Sequence, residues 1–574
     1  MAGVAFAVGA IVGAHSGGSA ANALADEYVK AWARRDYVAM YSDLDPSSRR
    51  SVTPAGFARA YERALATATA TGTRVTGRPR SLSGDRVAVP VTVATRLFGQ
   101  LSLDFEVPIA EPEGAEHVRW SQSLTFPGLA AGEQLSRRTT LPRRADLLAR
   151  DGSVLAESGP GPAVASGPGE ASRTSPLGET AAAVVGTVGP PPAARLAQLE
   201  AEGVPADGLV GLSGLEQALD ARLRGTPGGE LLAGSRVLAS ALPHPAASVR
   251  TSVSPSVQQS AVTALGGQYG GVVALQPSTG QVLAVAGIGL DGLQPPGSTF
   301  KMVTVTGVLT AGVANPQTVF PYATYATLDG VELHNANGEE CGGTLENAFA
   351  VSCNSVFAPL GVKVGGARLV QTAEGFGFNR DPGIEGASPS TLPQARQISG
   401  ELDIGSTAIG QGQVLATPLE MATVAATIAD GGRRPLPTFV TGAAPVFPDR
   451  AASAAVARTV RHLMIAVVRS GTGTAAAIPG VTVAGKTGTA ELKTQCTTPP
   501  AETGGEHGAG EAGKEACQGS EAESSNTDAW FAAFAPAIHP RVAVCVMLVK
   551  DGAGGATAAP VAREVIEAAL RAGI

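Results

Sequence analysis

At 574 residues the chain is too long for one ordinary domain, and about two to four are expected. Hydrophobic residues make up 44%, enough for real cores, whereas 4% aromatics and 73 glycines point to long loops. A net charge of -7 offers no basic face to nucleic acid or anionic lipid, which excludes a nucleic-acid role.

Met1 to Ala14 is uncharged and apolar, but shorter than the roughly 20 residues a membrane helix needs, and it lacks the basic start of a signal peptide. It reads either as the remnant of a membrane anchor or as an ordinary apolar N-terminal helix. The Gly17-Gly18 break, which sets residues 1–19 apart from the amphipathic pattern that follows, favours the remnant.

Over residues 20–132 the pattern is first helical and then alternating. Leu24, Tyr28, Ala31 and Trp32 recur at helical spacing, as do Phe57, Tyr61 and Leu65 after Pro54. From Thr73 to Phe126 the period becomes two, with Val87, Val89, Val91 and Val93, then Leu101, Leu103 and Phe105. Helices followed by antiparallel strands predict a small α+β domain, without a catalytic constellation, that serves as a spacer.

Residues 133–247 are loop-rich, and the Gly/Pro/Ser stretch Ser158 to Ser175 reads as a linker or exposed excursion. Within them Arg150 to Ala156 predicts a strand-turn-strand, and Gly214-Leu215-Glu216 opens a helix running towards Leu223-Arg224-Gly225. Residues 248–574 are more regular. Val257 to Leu265 predicts an amphipathic helix, and Gly271 to Leu275 and Gln281 to Val285 predict a hairpin closed by Pro277-Ser278-Thr279-Gly280.

Next comes Pro295-Pro296-Gly297-Ser298-Thr299-Phe300-Lys301. Two prolines and a glycine start a helix poorly suited to begin earlier, so Ser298 falls near the first turn of an apolar helix through Leu309, on one face with Lys301. A serine hydroxyl is a poor nucleophile until something takes its proton, and a desolvated lysine can do that. The helix N-terminus adds partial positive charge beside the oxygen that would become anionic. Lysine is scarce, seven against 35 arginines, so its use here marks a site where a removable proton matters.

Ser352-Cys353-Asn354 follows. Positions i and i+2 diverge on a helix, so Ser352 and Asn354 can share a site only from a turn between helices. The hydroxyl there could pass a proton to a leaving group, and the Asn354 amide could hold a substrate carbonyl. Lys486-Thr487-Gly488-Thr489 comes after the alternating Val481, Val483 and Ala484, which predicts a strand. Gly488 permits close backbone approach, Thr487 and Thr489 offer hydroxyls, and Lys486 supplies a fixed positive charge for a carboxylate. That charge would also depress the pKa of Lys301 if the two amines lie close. A peptide could bind along the strand edge.

Of five cysteines, Cys341 and Cys353 lie twelve apart and Cys496 and Cys517 bracket an irregular loop, which fits two local disulfides in an oxidising compartment. Cys545 is left over in the apolar run Val542 to Val549 as a buried thiol. Without a Cys-x-x-Cys or His pair, no metal site is expected.

Ser-x-x-Lys, Ser-x-Asn and Lys-Thr-Gly, in this order on a helix, a turn and a strand, resemble the signature set of penicillin-binding proteins and serine β-lactamases. Gly410-Gln411-Gly412 and Thr527 to Pro536 stand in family positions too. The resemblance covers roughly residues 135–574, and the first domain resembles the nuclear-transport-factor-like domain that some of these proteins carry. Residues 133–247 resemble the pedestal, or dimerisation-like, region of the high-molecular-weight members. It implies a multidomain α+β chain of the monofunctional class, without a glycosyltransferase domain or cofactor, on the extracytoplasmic face of the cell membrane. Its activity would be that of a peptidoglycan D,D-transpeptidase, a serine acyl-transfer enzyme that β-lactams acylate. Ser298 would attack the D-alanyl-D-alanine end of a stem peptide and Lys301 accept its proton. Ser352 and Asn354 would relay protons and orient substrate, Lys486 and Thr489 hold the carboxylate, and the backbone N–H groups of Ser298 and Thr489 form the oxyanion hole. A polymerising glycosyltransferase is the partner the family suggests.

One departure is the Gly- and Glu-rich excursion from Glu491 to Ser524, where a much shorter connection is expected and which reads as a solvated loop. A hydrolytic β-lactamase would carry a Glu-x-x-Leu-Asn loop, which this chain lacks, and a β-lactam-binding sensor would need membrane helices or an effector region that are not apparent. A non-catalytic scaffold would tolerate loss of Ser298 or Lys486, and both are present. The seven histidines are scattered, with no Gly-x-Ser-x-Gly elbow, so a histidine triad is set aside.

Overall fold

The computed structural model describes residues 16–83, 85–111, 115–158, 173–491, 495–496, 517–518 and 526–574. The apolar start through Ala14, most of Ser158–Ser175 and most of the Glu491–Ser524 excursion lie outside the described residues. Among the described residues no helix is long and apolar enough to cross a membrane.

The first unit packs the helices Ser16–Arg34 and Pro54–Thr67 against a sheet whose long strands are Arg86–Thr95 and Gln100–Ala110. Thr53 starts the second helix by accepting a hydrogen bond from the Gly56 amide, with Pro54 in the first turn, where a missing N–H costs nothing. The alternating valines Val87, Val89, Val91 and Val93, with Phe105 across from Val89, turn one sheet face onto Trp32, Phe57 and Tyr61. The alternation does not run to Phe126 as strand, because Gln122–Thr125 closes a 3-10 turn with the Thr125 hydroxyl on the Gln122 carbonyl at 2.7 Å. Leu124 and Phe126 reach the same core from that turn.

The middle unit hangs on a buried ion network. Arg144 is bonded through Nε to Glu216 at 2.6 Å and through Nη1 to Asp220 at 2.8 Å. Arg173 meets the other Glu216 oxygen at 2.8 Å and Arg224 the other Asp220 oxygen at 2.9 Å. The helix expected from Gly214 towards Leu223 is in fact two short ones, Gly214–Ala218 and Asp220–Leu223, broken at Leu219. The break aims Asp220 inward, where its carboxylate also accepts from the Gly211 amide at 2.8 Å.

The C-terminal unit is built on a five-stranded sheet in the order Val282–Gly287, Gly270–Leu275, Val542–Leu548, Thr527–Ala535, Ala484–Glu491. Every neighbouring pair is antiparallel. Both faces are covered, so the central strands read as unbroken apolar runs rather than alternating ones. Phe531, Ala533, Val544 and Val546 face the helices Pro255–Leu265 and Ala558–Arg571. Trp530, Ala532, Phe534, Cys545 and Met547 face Lys301–Thr310, Pro418–Ala429 and Ala454–Ser470. Residues 301–308 are buried on every side, as is the whole of Pro418–Ala429, so these two helices form the centre of the unit.

Replacing Arg144 leaves Glu216 and Asp220 buried with fewer cations, and losing one partner of a buried ion cluster costs about 3–5 kcal/mol. Arg144→Met should therefore lower stability by about that amount in denaturant unfolding. A loss under about 1 kcal/mol would mean that Arg173 and Arg224 hold the cluster unaided.

Candidate active site

Ser298 lies in a single 3-10 turn, Gly297–Phe300, that runs directly into the helix Lys301–Thr310, so the first turn is tighter than an α-turn. The Thr299 hydroxyl bonds the Pro296 carbonyl at 2.6 Å and fixes the entry. Two other backbones clamp the turn. A Cβ on Gly297, at φ +50°, would stand 2.7 Å from the Thr489 carbonyl oxygen, and one on Gly410 would stand 2.1 Å from the Gly297 carbonyl oxygen. The Gly297 amide donates to Gly410 O at 3.0 Å. A Cβ on Gly488 would meet Pro296 O at 2.8 Å, so the strand and the serine turn touch main chain to main chain. Ser298 itself is half-buried.

Lys301, one helical turn on, is fully buried. Its Nζ donates to the Ser352 carbonyl and to Asn354 Oδ1, both at 2.6 Å, and lies 3.3 Å from Ser352 Oγ.

Ser352 does come from the turn between the helices Leu345–Ala350 and Asn354–Val364, and Asn354 opens the second of them. Ser352 has φ +66°, the left-handed region, which throws its side chain towards both lysines. Its hydroxyl oxygen is 2.8 Å from Lys486 Nζ, so one serine oxygen is in reach of two buried amines. The Asn354 amide, expected to be open for a substrate carbonyl, is engaged at both ends, with Nδ2 on the His334 carbonyl at 2.8 Å. Cys353 is joined to Cys341 by a disulfide, with the Cα atoms 5.9 Å apart.

Lys486 sits on the strand Ala484–Glu491 at zero exposure, bonded to Ser352 Oγ and, at 3.0 Å, to the Thr487 carbonyl. Among the described residues no carboxylate is within ion-pair range of it. Burial therefore pushes its ammonium down to about 7. The expectation of a fixed positive charge is corrected accordingly. The amine changes charge near neutrality because it is desolvated without a counter-ion. Thr487 turns its hydroxyl onto Thr472 at 2.6 Å, while Thr489 remains half-buried beside Gly297.

Thr472 was not apparent in the sequence. It follows the helix Ala454–Ser470, and its amide bonds the Ala350 carbonyl at 3.1 Å, so it touches the end of one helix and the strand together. The only signal is its place between Gly471 and Gly473, and a Cβ on Gly471 would come 2.2 Å from Ala350 O. Asn335 was missed as well; it bonds the Ala323 and Glu339 carbonyls at 2.7 and 2.8 Å and accepts from the Ser355 amide at 2.8 Å. Of the other cysteines, Cys545 is a buried free thiol whose burial raises its pKa. Cys496 and Cys517 face each other across a two-residue ladder, and their side chains lie outside what is described.

Three family models match the chain: a penicillin-binding-protein transpeptidase domain at residues 270–567, a penicillin-binding-protein dimerisation domain at 166–235, and an NTF2-like N-terminal transpeptidase domain at 20–133. Among curated relatives, peptidoglycan D,D-transpeptidase PbpA of Mycolicibacterium smegmatis is 34% identical over 428 residues, 63% of this chain and 80% of that protein. Among solved structures, penicillin-binding protein A of Mycobacterium tuberculosis, known also as an imipenem acyl-enzyme complex, aligns with TM-score 0.56 and 28% identity over 75% of this chain and 98% of that one. Pseudomonas aeruginosa PBP2 in complex with WCK 5153 aligns with TM-score 0.59 and 26% identity, over 76% of this chain and 96% of that one. With the transpeptidase model spanning more than half its length, and with its multidomain α+β architecture, this chain belongs to the penicillin-binding-protein transpeptidase family.

Proposed function

We propose that this chain is a peptidoglycan D,D-transpeptidase that works through an acyl-enzyme on Ser298. The observation that carries this reading is the convergence of Lys301, Ser352, Asn354 and Lys486 on one another beside the Ser298 turn. Ser298 Oγ attacks the penultimate D-alanine carbonyl of a stem peptide while its proton passes to the Lys301 lone pair. The backbone N–H groups of Ser298 and Thr489 take the negative charge on the carbonyl oxygen, a role supported by the close approach of Gly297 to Thr489. Ser352, between the two amines, returns a proton to the departing D-alanine nitrogen as the C–N bond breaks. An amine from a second stem then attacks the Ser298 ester, forms the cross-link and gives the serine back its proton.

Lys486, Thr487, Gly488 and Thr489 receive the terminal carboxylate. A substrate carboxylate is the counter-ion that Lys486 lacks, so its arrival restores the ammonium. A β-lactam presents a similar carbonyl and carboxylate, and its ring keeps the leaving group tethered. The enzyme acts on the extracytoplasmic face, which the Cys341–Cys353 disulfide supports, with the N-terminal apolar segment as anchor and a glycosyltransferase as partner. The domain limits proposed are 20–132, 133–247 and 248–574.

Fluorescent penicillin followed by peptide mapping should place the label on Ser298. Ser298→Ala should abolish labelling, and Lys301→Ala should slow it by about 10²–10⁴-fold, the usual worth of a general base. Label retained by Ser298→Ala would end the proposal.

Lys486 gives a pH signature with a definite sign. Its folded value of about 7 lies below the ordinary 10.5, so between these limits the unfolded chain holds the extra proton and stability rises with pH. Wild type should gain stability over Lys486→Met between pH 7 and pH 9, read by urea unfolding at each pH. A constant difference would show that the buried amine stays protonated.

A further inference from the structure

Cys353 stands between the two residues that meet the buried amines. We propose that the Cys341–Cys353 disulfide is a positioning element of the catalytic centre, and that the enzyme acylates at full rate only when this bond is formed. The inference rests on the assignment of Ser298, Lys301, Ser352 and Lys486 made above.

Ser352 holds the left-handed conformation at φ +66° although it carries a Cβ, and such a residue stays there only where its surroundings over-determine it. The contacts of Ser352 Oγ with Lys301 and Lys486 are the ones through which protons move during the reaction, while Lys301 also holds the Ser352 carbonyl and Asn354 Oδ1 from the helix side. Two local backbone bonds, Ser352 N to Phe349 O at 3.2 Å and Cys353 N to Ala348 O at 2.9 Å, end the preceding helix but do not tie the turn to anything beyond it. The Thr472 amide on the Ala350 carbonyl ties down the end of that helix. Two ties act on residues 353 and 354 themselves, the disulfide and the Asn354 amide on the His334 carbonyl.

Both ties come from one segment. Cys341 begins the strand Cys341–Thr344, which pairs with Val319–Ala323, and Asn335 pins the intervening hairpin to the Ala323 and Glu339 carbonyls and to the Ser355 amide. The disulfide is thus the covalent link between this small sheet and the turn that carries Ser352. Cys353 is fully buried and Cys341 nearly so, which keeps the bond away from casual reduction once it forms.

The test compares Cys341→Ala/Cys353→Ala with wild type, measuring the second-order acylation rate by fluorescent penicillin from pH 5.5 to 9.5 and, separately, the unfolding temperature. The expected result is acylation at least tenfold slower well below the unfolding temperature, with the pH optimum displaced, because Ser352 no longer sits between the amines. An unchanged rate and pH profile with only a lower unfolding temperature would overturn the proposal. If the double variant does not fold, Cys496→Ala/Cys517→Ala protein is reduced while folded, with thiol alkylation to count opened cysteines. A rate that falls on reduction and returns on reoxidation supports the inference; an unchanged rate in fully reduced protein overturns it. Peptide mapping of the label in each sample separates the two readings, since label away from Ser298 refutes the mechanism and not the role of the disulfide.

Discussion

The site depends on one hydroxyl oxygen within reach of two buried amines. Ser352 Oγ lies 3.3 Å from Lys301 Nζ and 2.8 Å from Lys486 Nζ. Two ammonium groups so placed would repel each other in a low dielectric. Lys486, with no carboxylate in range among the described residues, escapes much of that cost by losing its proton near neutrality. An amine desolvated as Lys486 is can take up and return a proton near neutral pH, which a carboxylate-paired lysine could not do.

The surroundings make that cost bearable. Lys301 belongs to a central helix, where residues 301–308 are buried, and the Phe357 ring lies 5.7 Å from its amine. Lys486 has the Phe349 ring at 5.6 Å and the doubly covered sheet behind it. Glycine supplies the access. At Gly297, Gly410 and Gly488 any side chain would collide with the neighbouring backbone, so the serine turn, the Gly410 turn and the strand close on one another without intervening atoms.

The other units have their own devices. The first is built on an aromatic core around Trp32, Phe57 and Phe105, to which Leu231 of the middle unit contributes. The middle one buries Arg144, Glu216 and Asp220 in mutual contact, an arrangement whose loss is costly but whose presence is weak support for stability in itself.

The sequence determined the elements and their chemistry. Alternating valines predicted the first sheet, prolines and a glycine predicted a helix start near Ser298, and the divergence of i and i+2 on a helix predicted that Ser352 and Asn354 meet at a break between helices. These are local consequences of backbone periodicity and sterics, and local rules read directly from neighbouring residues. Tertiary structure alone decided that Lys486 is uncompensated and close to losing its charge, that the Asn354 amide is taken by His334, and that Thr472 joins the Ser352 helix end to the strand. Each of those depends on what lies across the fold from the residue, and desolvation and hydrogen-bond partnership are properties of the assembled surroundings, which no stretch of chain carries by itself.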